Sequence, residues 1–157
     1  MDDVPFLRHT LATLAYRGGK TLRGAPESFA TFRTAAGART PVEILAHIGD
    51  LLDWAVTITD GQETWHDSPP LAWPDEVARF FAALGSFDTR LASGAALKTT
   101  AEGLFQGPIA DAFTHVGQIA MLRRLAGSPI RGENYQRARI AIGQVGAEQA
   151  EPRREFD

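Results

Sequence analysis

Thr40-Pro41-Val42-Glu43-Ile44-Leu45-Ala46-His47-Ile48-Gly49-Asp50-Leu51 opens a helix and shows how that helix is used. Thr40 followed three residues later by Glu43 is a capping box, and Pro41 takes the first helical position, where its missing N–H costs nothing. Ile44, Ile48, Leu51, Ala55 and Ile58 form one apolar stripe, which Asp60-Gly61 closes. His47 stands about sixty degrees around the helix from Ile44, close to Trp54, at the edge of the face that should be buried. Glu43 and Asp50 share its flank, one turn to either side.

The same periodicity extends outward in both directions. Leu7, Leu11 and Leu14 predict a first helix over residues 3–17, and Gly18-Gly19 then weakens or ends it. Residues 23–39, with Gly24, Pro26 and Gly37, read as a long connection. A loop rich in Trp and Pro follows the second helix from residue 62 to 73. Pro74-Asp75-Glu76 then opens a third helix striped by Val77, Phe80, Phe81, Leu84, Phe87 and Leu91. A fourth helix starts at Gly107-Pro108 and stops at Gly127-Ser128-Pro129. Its apolar residues, Ile109, Phe113, Val116, Ile119, Leu122 and Leu125, reach almost all the way round, so it either sits centrally or turns its outer face to a second subunit. A short additional helix is predicted over 135–142. The charged segment 148–157 carries Pro152 and reads as a flexible tail. The expected fold is all-α: a four-helix bundle as one domain over residues 1–147.

Composition narrows the function classes. The chain has 157 residues, 44% hydrophobic and 22% charged, enough for one domain with a real core. A formal net charge of −3 argues against non-specific nucleic-acid binding, despite Arg123-Arg124 and Arg131. The absence of cysteine excludes disulfides and a protein thiol nucleophile. No apolar run is long enough to cross a membrane, and the acidic start Met1-Asp2-Asp3 is unlike a signal peptide, so a cytoplasmic location is expected.

The residues able to carry chemistry lie on the second and fourth helices. Asp111, His115, Gln118 and Leu122 are spaced by four, three and four and share one face. Carboxylate and imidazole one turn apart can converge on one ion. The same spacing also describes a surface ion pair, and a histidine beside an apolar stripe is also an ordinary boundary residue. If the flanks of the two helices meet, His47, Asp111 and His115 make a metal-ligand set with positions left open for water or substrate. Asp50 and Gln118 are the candidate catalytic residues, positioning what binds there, and Trp54, Trp65 and Trp73 would shape the pocket. His9 and His66 read as exposed. Asp88, within the third stripe, is either a site residue or a paired carboxylate at the helix edge.

The stretch from Thr40 to Leu51 resembles the second helix of DinB/YfiT-like proteins, and Asp111-Ala112-Phe113-Thr114-His115-Val116-Gly117-Gln118 resembles their fourth-helix motif. The order of helices agrees over nearly the whole chain. The resemblance implies a four-helix bundle, often a homodimer, with a divalent metal, commonly zinc or nickel, held by three histidines. His47 and His115 match two of those ligands. The third position is Asp111 here, a departure that shifts preference toward harder ions such as manganese or iron and leaves room for a degenerate site. Relatives include transferases and isomerases that use low-molecular-weight thiols. The resemblance thus implies a metal-dependent thiol transferase or hydrolase-like enzyme acting on a small molecule. The alternative is a non-catalytic, stress-associated binding or dimerisation bundle.

Overall fold

The computed structural model describes residues 3–157; Met1 and Asp2, on which part of the signal-peptide argument rests, lie outside the described residues. The chain is an all-α bundle. Helix α1 spans Val4–Leu22, α2 Pro41–Thr59 and α3 Trp73–Ala92. A short helix α4, Ala101–Leu104, passes through a π-helical turn, Phe105–Ile109, into α5, Ala110–Leu125. Helices α1 and α2 each pack against both α3 and α5, so α1 and α2 occupy opposite corners of the bundle. The long connection between them, with a 3-10 turn at Glu27–Thr31, crosses that diagonal. The arrangement makes α2 and α5 neighbours, which the candidate site requires.

Local chemistry accounts for the helix limits. The capping box forms: the Glu43 amide donates to Thr40 Oγ1 at 3.4 Å, and the Thr40 amide donates to Glu43 Oε2 at 2.6 Å. Leu7, Leu11 and Leu14 of α1, Ile48 and Leu52 of α2, and Leu84 and Phe87 of α3 are buried in one core with Ile119 of α5. Helix α1 does not stop at its glycine pair but continues a full turn beyond. A Cβ on Gly18 would lie 2.6 Å from the end of the Phe80 ring, so the glycine serves close packing of α1 on α3, not chain reversal. The fourth helical region starts earlier than Gly107-Pro108 suggests. Thr100 caps the Gly103 amide at 3.0 Å, and the ring of Pro108, which cannot donate to the helical ladder, is accommodated by the wide π turn. Asp88 resolves as a paired carboxylate, receiving Arg8 Nε at 2.8 Å and Nη2 at 2.9 Å.

Beyond α5 the structure departs from expectation. The additional helix is one 3-10 turn, Tyr135–Arg137, and the segment expected to be a flexible tail returns to the body of the protein. Strand β1, Gly132–Glu133, pairs antiparallel with β2, Glu155–Phe156. Glu133, fully buried, accepts from Tyr16 Oη at 2.6 Å and from Lys20 Nζ at 2.7 Å, both on α1. Burial, then the Glu133 contact, pushes the Tyr16 hydroxyl well above its ordinary range. Arg123, in the last turn of α5, is buried. Its buried guanidinium donates to Thr21 O, Arg23 O and Ser128 O, carbonyls at the ends of α1 and α5 that would otherwise lack partners.

This C-terminal segment corrects the expected partners. Phe113, on the outer side of α5, faces a hollow closed by Ile130 and Tyr135 of the same chain, and Val145 joins the core. Much of the apolar surface of α5 is thus met within one chain, so its apolar character is no ground for a homodimer. Met121 and Leu125, one turn apart on one face, stay exposed. The expected set was a small molecule, a thiol, a second copy, and neither nucleic acid nor membrane. It reduces to one statement: no described helix is long and apolar enough to cross a membrane.

The glycines supply a stability test. Gly85 in α3 has nothing within 4 Å of a built Cβ. Gly85→Ala should gain about 0.5–1 kcal/mol from helix propensity. Gly18→Ala should lose stability, because overpacking costs about 1–3 kcal/mol and exceeds the same propensity gain. Urea unfolding midpoints should move up for the first and down for the second.

Candidate metal centre

Helices α2 and α5 bring His47, Asp111 and His115 together. His47 Nε2 lies 3.6 Å from Asp111 Oδ2, and His115 Nε2 lies 3.4 Å from Asp111 Oδ1. The two imidazole rings are perpendicular, with centroids 4.7 Å apart. One ligand atom from each residue can be chosen so that all three lie within 4.8 Å of one another. Both contacts to Asp111 are at ion-pair distance and use different oxygens of its carboxylate. The donor set, two imidazole nitrogens and a carboxylate, fits a divalent cation.

The centre lies on the seam between α2 and α5, not in the bundle core. The side chains of His47 and His115 are 18% and 12% exposed, whereas that of Asp111 is 48% exposed. Three separate hollows meet there. The first, about 330 Å³, is bounded by His47, Asp67 and Pro69. Another opens beside Asp111 and Trp54, and a third beside His115, Gln118 and Met121. Arg39 borders the first and third. Each ligand residue therefore faces its own approach from solvent, the arrangement of a centre with open coordination positions.

Neighbouring groups orient both imidazoles. His115 Nδ1 is 2.8 Å from Gln118 Oε1. With that oxygen accepting, Nδ1 donates, and Nε2 is the nitrogen that faces Asp111. For His47, burial is the largest influence and lowers its pKa below the ordinary 6.5. The positive fields of His115 and Arg39 act in the same direction, while Asp111 opposes them. The neutral imidazole therefore predominates at neutral pH.

Asp50 lines the first hollow with His47, but its carboxylate is taken up by other partners. It is 4% exposed, and both carboxylate oxygens are committed. Oδ2 accepts the Ser68 amide at 2.9 Å, and Oδ1 accepts Ser68 Oγ at 2.7 Å and Arg79 Nη2 at 2.6 Å. Burial alone would raise this carboxyl's pKa, but the hydrogen bonds from Ser68 and Arg79 outweigh it and hold it below the usual range. Gln118 acts on His115, as described. Of the three tryptophans, Trp65 stacks edge-on against His47 at 5.5 Å and against Trp54 at 5.8 Å. Trp73 belongs instead to the core, 5.7 Å from Phe29. His9 and His66 are exposed. Sequence periodicity gave no sign of Arg79 or Ser68, because their partner lies on a different element. The one residue that hinted at Arg79 is Gly49, where a Cβ would come within 2.9 Å of the guanidinium.

The chain matches no protein-family profile, and no curated protein or solved structure matches it.

Because Asp111 raises the pKa of His47 and its other neighbours lower it, Asp111→Asn should move that pKa further down in the metal-free protein. Proton NMR titration of the ring should show the protonated form of His47 appearing only at lower pH than in the unsubstituted chain. An upward shift would contradict the assignment of neighbours.

Proposed function

We propose that this protein is a divalent-metal-binding helical bundle of the DinB/YfiT-like kind, with His47, Asp111 and His115 as ligands. The observation that carries this reading is the convergence of two Nε2 atoms and one carboxylate, from two helices, within 4.8 Å. Gln118 supports it by holding the His115 ring through Nδ1, with Nε2 turned toward the cluster. The resemblance of the α2 and α5 motifs supports it from the sequence side.

A cation held there would act as a Lewis acid and make a coordinated protic molecule more acidic near neutral pH. The chain's own residues supply the rest. Asp111 contributes charge and, being half-exposed, keeps one side of the centre wet. The three hollows admit what is to be bound. Zinc or nickel suits the two imidazoles, and the carboxylate extends the range toward manganese and iron. We assign the chemistry to a metal-dependent transferase or hydrolase-like class. Its cofactor is the ion alone.

Metal content decides the matter. Protein purified without a histidine tag and exposed to zinc, nickel or manganese should carry about one equivalent by mass spectrometry, as a single three-ligand site requires. Asp111→Ala and His47→Ala should each lose most of it with helical content unchanged. Less than about a tenth of an equivalent in the unsubstituted chain would overturn the reading. Gln118→Leu should retain the site but weaken it by about 10–100-fold, the usual effect of removing a group that orients a ligand.

A further inference from the structure

We infer that Asp50, through Arg79 and Ser68, is the positioning residue that seats Trp65 against His47, making the segment between α2 and α3 a fixed wall that slows escape of the bound ion. The inference rests on the metal reading above and deepens it.

Residues 62–72 have no regular secondary structure, yet they run back along α2 in register with it. At the start, the Gln62 amide donates to Thr57 O at 2.8 Å and the Thr64 amide to Thr57 Oγ1 at 3.2 Å. Trp65 then lies over Trp54 and His47, its indole N–H donating to Asp67 at 3.2 Å. Ser68 meets Asp50 next. The amides from 68 to 71 complete the account. Ser68 gives its N–H to Asp50, Pro69 and Pro70 have none, and Leu71 gives its N–H to Glu76 at 2.9 Å. Two buried acids from different helices thus take every donor this stretch owns.

The acids are held by one cation. Arg79 Nη2 reaches Asp50 at 2.6 Å and Asp53 at 3.1 Å, while Nη1 reaches Glu76 at 3.2 Å and the carbonyl of Ala46 at 3.1 Å. Ala46 immediately precedes His47. The guanidinium lies flat across Gly49, so α2, α3 and the segment are locked together one turn from the metal ligand. A fully buried Glu76 and a nearly buried Asp50 would be costly without it. What this lock holds at its outer end is an indole that covers one side of His47 and is itself 40% exposed. Releasing the segment uncovers that imidazole without removing a ligand.

The test separates seating from binding. In a Trp54→Phe, Trp73→Phe background, Trp65 fluorescence reports the segment, and acrylamide quenching of it should rise when Asp50→Asn is added. In the otherwise unsubstituted chain, nickel is loaded and its transfer to excess EDTA is followed by stopped flow. Asp50→Asn and Trp65→Ala should each release nickel roughly tenfold faster or more while still binding one equivalent at saturation. Combining them should add little to either alone, since both act by removing the same wall. Gly49→Ala, which displaces Arg79 and leaves Asp50 in place, should behave like Asp50→Asn. An Asp50→Asn protein that is folded, shows unchanged Trp65 quenching and releases nickel at the original rate would overturn the inference. Failure of the unsubstituted chain to take up nickel would overturn the metal reading instead, and the quenching arm would still decide whether Asp50 seats Trp65.

Discussion

The guanidinium of Arg79 lying across Gly49 is the contact on which the candidate site depends. Helix α2 has α3 on one side and α5 on the other, and its polar residues serve both. Toward α3 it presents Asp50, which Arg79 and the amide and hydroxyl of Ser68 make tolerable away from water. Toward α5 it presents His47. Fixing the first face sets the second, because a helix of this length turns as a unit. Three carboxylates meet one arginine here, so loss of Arg79 would leave the buried Asp50 and Glu76 without their cation.

The two histidines differ in how they are held. His115 has a hydrogen-bond partner one turn along its own helix, so its ring orientation is a local property of α5. His47 faces Asp111 across the helix seam at 3.6 Å instead. Its ring is confined by aromatic contact with Trp65 and by its perpendicular neighbour His115. One ligand is thus oriented by sequence-local chemistry, and the other by a segment that must first be anchored elsewhere. Asp111, half-exposed between them, is the least constrained of the three.

Much of this could be read before any coordinates, and the exceptions have physical causes. The stripes of α2 and α3 and the Thr40–Glu43 box are local patterns, and they appear where periodicity puts them. The meeting of His47 with Asp111 and His115 depended on which helices are neighbours, which spacing leaves open; the order of helices decides it. Asp50 was legible as a neighbour of His47 on one flank, but not its pairing, since Arg79 and Ser68 come from a different helix and a loop. Gly18 looked like a helix end because glycine is a breaker in isolation. Its role as the seat for Phe80 is set by packing and has no local signature. The segment beyond Gly127 was misread for the opposite reason. In residues 148–157 charge suggested a flexible tail, but Glu155 pairs with Arg131 and its strand pairs with Gly132–Glu133.

The pairing of Glu133 with Tyr16 and Lys20 also bears on the order in which the molecule can assemble. Tyr16 and Lys20 are made early, but their partner Glu133 follows 117 and 113 residues later. During synthesis α1 must therefore wait with two polar side chains aimed at an empty place, against a bundle whose other helices have already emerged. Closure of such a distant contact is slow relative to helix formation. The segment after α5 is therefore the piece whose arrival covers Tyr16 and Lys20.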